Sequence, residues 1–292
     1  MEPTEKTVDG EKKMTTKDKD TEKTQKQDDV EPVEVAKTKG HTLDIGPPTL
    51  SGELACGHLD LDGKLHSEFT VTEMTGVEED LLAGRGPVVQ RLNQVIANCT
   101  INIGSLTEKK DIVKAVMSLT AADRIVMLIT LRRISLGDFY DIKIQCPKCD
   151  VMQNFALNLS ELEIEKMIDP RTRRYEHTLS TKKTVRWHIM TTEDEEWLTK
   201  KRRKGVDILT MTMLARLDEI DDEPVGRDDN ERVAVKKLQG LRMKERNEIR
   251  ALFDKYEGDV DTKCEFTCEA CSYNWESDMD VAQPGFFFPS GM

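Results

Sequence analysis

The sequence predicts an α+β fold in which helical segments accompany a small antiparallel sheet. Two Cys-x-x-Cys turns, Cys146-Pro-Lys-Cys149 and Cys268-Glu-Ala-Cys271, each interrupt a pair of alternating apolar and polar runs. Apolar residues at helical spacing fill the chain before and between those turns. No fixed-period repeat suggests a solenoid, so the doubled strand, turn, strand pattern is the one internal echo. Two such units together read as a zinc-ribbon-like sheet.

The elements follow in order. Leu59-Asp-Leu-Asp-Gly-Lys-Leu-His66 sets an Asp62-Gly63 turn between short alternating runs, which signals a hairpin. Thr75-Gly-Val-Glu78 has capping-box spacing, in which hydroxyl and carboxylate each satisfy an orphan backbone N–H, and a helix is expected through Leu82. Pro87 suits a first helical turn, and Val88, Val89, Leu92, Val95 and Ile96 recur at helical spacing up to Cys99. Thr120-Ala-Ala-Asp123 opens a further helix with Ile125, Leu128, Ile129 and Leu131 on its apolar face, and Gly137 ends it.

Beyond Gly137 the period changes to two, over 139–145 before the first cysteine turn and 155–159 after it. A second hairpin over 175–190 turns around 180–183, and three helices are expected near 193–204, 206–219 and 231–257. Residues 218–224 and 226–229 read as an exposed acidic connection. Strands at 263–267 and 273–281 flank the second cysteine turn. The domain reading is a disordered charged arm at 1–42, a hairpin and helical region at 43–137, and a zinc-ribbon-like domain at 138–292. The halves of that domain, 138–160 and 259–283, enclose a hairpin and helical insertion at 165–257.

Composition narrows the function. At 292 residues the chain can bury a sufficient core without disulfides. With 34% charged and 37% hydrophobic residues, it has no run approaching the roughly 18 apolar residues of a membrane span. The first residues lack the apolar stretch of a signal peptide, so synthesis in a reducing cytoplasm and free or metal-bound thiols are expected. The first 40 residues carry 20 charges and no aromatic residue, too little apolar surface to offset chain entropy. They read as a tether, a solubilising arm, or a tail without a role.

A net charge of -12 repels phosphate backbones. The dense basic cluster, Lys200-Lys201-Arg202-Arg203-Lys204, follows Glu193-Asp194-Glu195-Glu196 in one expected helix. Acid at the start and base at the end suits the helix dipole; the alternative is a docking surface for an acidic partner or phosphate.

The chemistry rests on the thiols. Structural zinc takes four tetrahedral ligands, and each Cys-x-x-Cys turn supplies half of them, so Cys146, Cys149, Cys268 and Cys271 are the expected metal ligands. The long insertion between the halves is tolerable because loop-closure entropy grows only logarithmically with length. A redox pair is the main rival, but that motif opens a helix within an α/β pattern absent here; two unrelated pairs are the other alternative. Cys264 and Cys99 read as structural thiols, and Cys56-Gly-His58 lacks two further ligands nearby. Phosphate loops, dinucleotide fingerprints, nucleophile elbows and the HExxH frame are all missing from the sequence, and four thiolates would leave a zinc no open position for catalysis. No enzyme is expected.

The order of Glu73-Met-Thr-Gly-Val-Glu-Glu-Asp-Leu-Leu82, Leu119-Thr-Ala-Ala-Asp-Arg124, Leu131-Arg-Arg, Gly137 and Tyr140 before Cys146 resembles the T-even-type phage baseplate hub and tail-assembly proteins. The closing Cys268-Glu-Ala-Cys271 and Phe286-Phe-Phe-Pro289 resemble the ending of longer relatives. Asp150 and Ser272 depart from the pattern, standing where a glycine often follows such a knuckle; Asp and Ser also tolerate turns. The resemblance implies a structural or assembly component of a contractile phage tail, located in the virion baseplate. Its partners would be other tail proteins, as a homo- or hetero-oligomer. A zinc-ribbon nucleic-acid-binding protein is the alternative, opposed by the acidic charge and by the lack of interleaved basic and aromatic residues at the knuckles.

The C-terminal segment adds one candidate surface. Phe286, Phe287 and Phe288 lie between Pro284 and Pro289, which disfavour any continuing element. The rings are expected either to cover the chain's own core or to anchor in a partner.

Overall fold

Gly63, at φ 77°, closes the first hairpin as its Asp-Gly signal predicts. In the computed structural model, which describes residues 46–201, 208–227 and 231–288, strand β1 (Thr49–Leu59) pairs antiparallel with β2 (Leu65–Thr72). The charged arm expected at 1–42, together with Arg202, Arg203, Lys204, Asp228, Asp229 and Pro289, lies outside the described residues.

Thr75 caps α1 (Gly76–Ala83), and its box partner Glu78 accepts from the Thr75 N–H at 3.0 Å. Helix α2 (Val88–Cys99) runs directly into strand β3 (Thr100–Ile103), which adds to β2 and completes a sheet of order β1-β2-β3. Helix α3 (Lys109–Ser118) follows; it buries Ile112, Ala115 and Val116, a helical spacing too short to stand out in the sequence. Helix α4 (Ala121–Leu136) begins at the Thr120 box and ends at Gly137, whose φ of 92° only glycine adopts readily.

Asp123 links helix to sheet. Besides closing the α4 box, its buried carboxylate accepts the N–H groups of Cys56 and Gly57 at 2.7 and 3.2 Å. Those donors lie where the β1–β2 register slips between Glu53 and His58, so α4 satisfies the amides that the bulge frees.

Past Gly137 come β4 (Phe139–Gln145) and β5 (Met152–Asn158), then a two-residue strand β6 (Ile164–Glu165). The second hairpin is β7 (Arg174–Thr178) with β8 (Thr184–His188), followed by α5 (Thr192–Lys201) and α6 (Ile208–Arg216). The expected helix 206–219 stops at Arg216, because Leu217 and Ile220 turn inward as strand β9 (Leu217–Ile220) beside β8. The expected loose acidic connection is in part a tight turn at Asp221 and Asp222, with φ 52° and 62°, leading into β10 (Glu223–Pro224). The long helix expected over 231–257 is two helices, α7 (Glu231–Gln239) and α8 (Met243–Tyr256). Glycine at 240 ends the first, and Glu245 restarts the second by accepting the Arg242 N–H at 2.7 Å. Strand β11 (Asp259–Val260) pairs with β6, and β12 (Lys263–Thr267) pairs with β13 (Asn274–Asp278) before a short 3-10 turn at Pro284–Phe287.

The fold is thus mixed helix and antiparallel sheet, as expected. The single ribbon-like sheet is corrected: β4–β5 and β12–β13 are separate two-stranded ladders among the described residues. Inward aromatic rings hold them face to face instead. Phe155 meets Phe266 edge-on with centroids 4.9 Å apart, and Phe266 stacks on Trp275 at 5.5 Å. One buried cluster runs across residue 137, from Phe69 and Leu92 through Leu128 to Phe266 and Phe286.

Candidate metal centre

The two cysteine turns have the same backbone. In the first, Cys146 N–H donates to the Val151 carbonyl at 3.0 Å and Asp150 N–H to the Cys146 carbonyl at 3.0 Å. In the second, Cys268 N–H donates to Tyr273 at 2.9 Å and Ser272 N–H to Cys268 at 2.8 Å. Both turns close through a left-handed residue, Asp150 at φ 58° and Ser272 at φ 54°. These are the two positions where a glycine is expected, and the chain keeps the glycine geometry without the glycine.

Facing ladders bring the turns together. The four Sγ atoms of Cys146, Cys149, Cys268 and Cys271 all lie within 4.8 Å of one another. Cys146 is 3.8 Å from Cys271 and Cys149 is 3.5 Å from Cys268. A tetrahedral tetrathiolate with metal–sulfur bonds of about 2.3 Å has sulfur–sulfur edges of about 3.8 Å, so the thiols are spaced to hold one ion of that class.

Polar neighbours support the sulfurs. The Lys148 N–H points at Cys146 Sγ from 3.4 Å, and Gln153 Nε2 donates to Cys268 Sγ at 2.8 Å while its Oε1 accepts the Glu269 N–H at 3.1 Å. Desolvation opposes ionisation of Cys268, but the Cys271 N–H, the Cys149 thiol and Gln153 outweigh it and bring its pKa down to about 6. At Cys149 the Val151 N–H favours the thiolate, yet burial and the three crowding sulfurs push it up to about 12. A bare cluster therefore ionises unevenly, and a dication is the charge that would let all four sulfurs deprotonate. Gln153 was not among the expected site residues. Its signal is a polar side chain on the strand phase of Phe155 and Leu157.

The remaining thiols stand apart from the cluster. Burial pushes Cys56 up to about 11 and Cys99 up to about 12, which suits packing rather than nucleophilic chemistry. Cys264 is buried on the inward face of β12, and the His58 ring bonds Ser118 Oγ at 2.7 Å.

Phe286 and Phe287 are buried within this chain and Phe288 is half-buried. Phe286 packs edge-on against Tyr140 at 5.1 Å, and its carbonyl accepts Arg132 Nε at 2.9 Å. The first two rings thus take the self-covering arrangement of the two expected from sequence.

A second polar centre escapes sequence reasoning because its members are far apart. His188 Nδ1 lies 2.9 Å from Asp218 Oδ1, and its Nε2 lies 3.6 Å from Asp194 Oδ2. Arg227 pairs with Asp194, and Arg174 with Asp218 at 3.4 Å. The acidic start of α5 is likewise committed to tertiary partners: Glu195 pairs with Arg124, and Glu196 accepts from Asn93 at 3.1 Å.

Two separate ladders whose turns bring four cysteines together thus stand beside a helical body. The family described as T4 bacteriophage base plate protein matches residues 58–288, and the chain belongs to that family. No curated protein and no solved structure matches it. The match extends the stretch that resembled tail proteins in sequence, and it spans both cysteine turns and the phenylalanines. No described helix is long and apolar enough to cross a membrane.

Proposed function

We propose that this chain is a structural or assembly component of a contractile phage tail, in which a zinc ion held by Cys146, Cys149, Cys268 and Cys271 clasps two ladders and fixes the surface offered to other tail proteins. Membership of the base plate family supports the baseplate role, the virion location and the partners. The observation that carries the metal reading is the four sulfurs within 4.8 Å, at edges of 3.8 and 3.5 Å.

The ion's part is structural. Four thiolates fill the sphere of a tetrahedral dication and leave no position for substrate or water. Because the second turn lies 119 positions beyond the first, binding closes a long loop and contributes directly to folding. The surroundings oppose the nucleic-acid reading: Asp150, Glu265, Glu276 and Asp278 are exposed on the two ladders and their turns, with Lys148 drawn over the Tyr273 ring at 5.6 Å.

The test measures metal in reduced, full-length protein by elemental mass spectrometry, and the protein itself in purified particles. About one zinc per chain is expected, with loss in Cys146→Ser and Cys271→Ser and a lower folding yield for both. Metal-free protein as stable as the metal-bound form would overturn the zinc reading. Absence both from particles and from every assembly intermediate would overturn the baseplate reading.

A further inference from the structure

The two end motifs of the family resemblance, Glu73 to Leu82 and Phe286 to Phe288, meet at one groove. Its volume is about 290 Å³, and Met74, Leu82, Leu136, Phe287 and Phe288 supply its apolar lining. Leu136 is 43% exposed there, and Val77, one residue beyond the lining Gly76, is 63% exposed. Such side chains left open around a cavity mark a contact surface more than a packing fault. The volume sits at the low end for small-molecule sites and suits one or two protein side chains.

The groove is built rather than incidental. Met74 N–H donates to Ser135 Oγ at 2.9 Å, which ties one wall to the last turn of α4. Arg132 Nε holds the Phe286 carbonyl at 2.9 Å and fixes the other wall. At the start of α1, Glu78 accepts the Thr75 N–H and Thr75 Oγ1 accepts the Val77 N–H, so those amides are already committed within the cap.

Charge identifies the occupant. Glu79 lines the groove, Glu73 and Asp80 flank the same segment, and none of the three has a cation partner among the described residues. The cations on the adjoining turn are engaged: Arg132 lies beneath the 3-10 turn, and Arg133 pairs with Asp138 at 2.6 Å. We infer that this acid-rimmed groove is a docking site for a segment of another protein that inserts a large aliphatic or aromatic side chain flanked by lysine or arginine. The apolar side chain supplies affinity in the groove, and the cations over Glu79 supply selectivity and rate.

Gly76 offers a clean block. Gly76 lines the groove and a Cβ added there meets nothing within 4 Å, so Gly76→Leu adds bulk to the lining without a clash. The probes are two fluorescein-labelled peptides, Lys-Lys-Leu-Trp-Leu-Lys-Lys and its Glu-for-Lys counterpart, titrated by anisotropy against full-length protein. The basic peptide should bind at least about tenfold tighter than the acidic one. Gly76→Leu should abolish binding at an unchanged melting temperature, and Glu79→Lys should weaken it at least about fivefold. No binding to the wild-type chain, equal binding of the two peptides, or wild-type binding by a folded Gly76→Leu protein would each overturn the assignment. Neither zinc content nor presence in particles enters these titrations, so the reading stands or falls apart from the proposed function.

Discussion

Gln153 reaches across the two ladders to donate to Cys268 Sγ at 2.8 Å, although 115 positions separate the residues. The same side chain accepts the Glu269 N–H, so one amide both orients a sulfur of the cluster and pins the opposite turn. Hydrogen bonds to ligand atoms typically change metal affinity by about 10–100-fold. Gln153→Ala should therefore weaken zinc binding by about that factor in chelator competition, with the far-ultraviolet spectrum of the metal-bound protein unchanged. Wild-type affinity would show that the four thiolates alone set the site.

The left-handed residues after the knuckles make a second prediction. An L-residue in that region costs about 1–2 kcal/mol, against about 0.5–1 kcal/mol for the extra freedom a glycine loses on folding. Asp150→Gly and Ser272→Gly should each raise stability by about 0.5–1 kcal/mol in denaturant unfolding at fixed free zinc. A β-branched residue at either position should lower it. A loss of stability in Asp150→Gly would mean that the contacts of its side chain outweigh the backbone gain.

His188 makes stability depend on pH. Burial alone would depress its pKa, but the hydrogen bonds and charges of Asp194 and Asp218 outweigh burial and raise it from 6.5 to about 9. Only the imidazolium can donate from both ring nitrogens at once. A folded-state pKa above the unfolded value means the stabilisation is complete below about pH 6.5 and is lost as pH rises through about 9. Its size is on the order of 3 kcal/mol. Arg174 and Arg227 face the same carboxylates. Melting temperature followed from pH 6 to 9.5 should fall for the wild-type protein and stay nearly flat for His188→Gln. Parallel curves would remove His188 as the cause.

What sequence makes legible here is local. Capping boxes at Thr75 and Thr120, the Asp62-Gly63 turn and the helix stop at Gly137 are settled by contacts within four residues, and all stand where their residues predict. The four-cysteine cluster is legible because each pair lies on a four-residue turn. Gln153, His188 and Asp123 are not, since the partners that give each its role come from elements 115, 30 and 67 positions away. Tertiary pairing also overrides local pattern at Leu217, where β8 recruits residues that continue a helical period. Strands β6 and β11 are too short, at two residues each, to carry a period at all.

The phenylalanines give the sharpest contrast within one segment. Phe286 is 1% exposed, packs against Tyr140 and Phe287, and lies against Arg132, whose guanidinium sits 5.5 Å from the ring and 4.8 Å from that of Tyr140. Arg132 Nη1 is buried without a hydrogen-bond partner, and the two rings lie over the guanidinium. Phe286→Ala should remove the packing and one of the two rings over Arg132, at a cost of about 3–5 kcal/mol. Phe288, half-buried at the groove, should cost no more than about 1 kcal/mol when truncated, because it leaves no closed cavity. Urea unfolding of the two variants at equal zinc distinguishes them, with an unchanged m-value as the control for two-state behaviour. Equal losses would mean that the segment packs as one unit, and equal neutrality would mean that it contributes little to the fold. The expected split makes Phe286 the anchor of the segment and Phe288 the ring free to serve a partner.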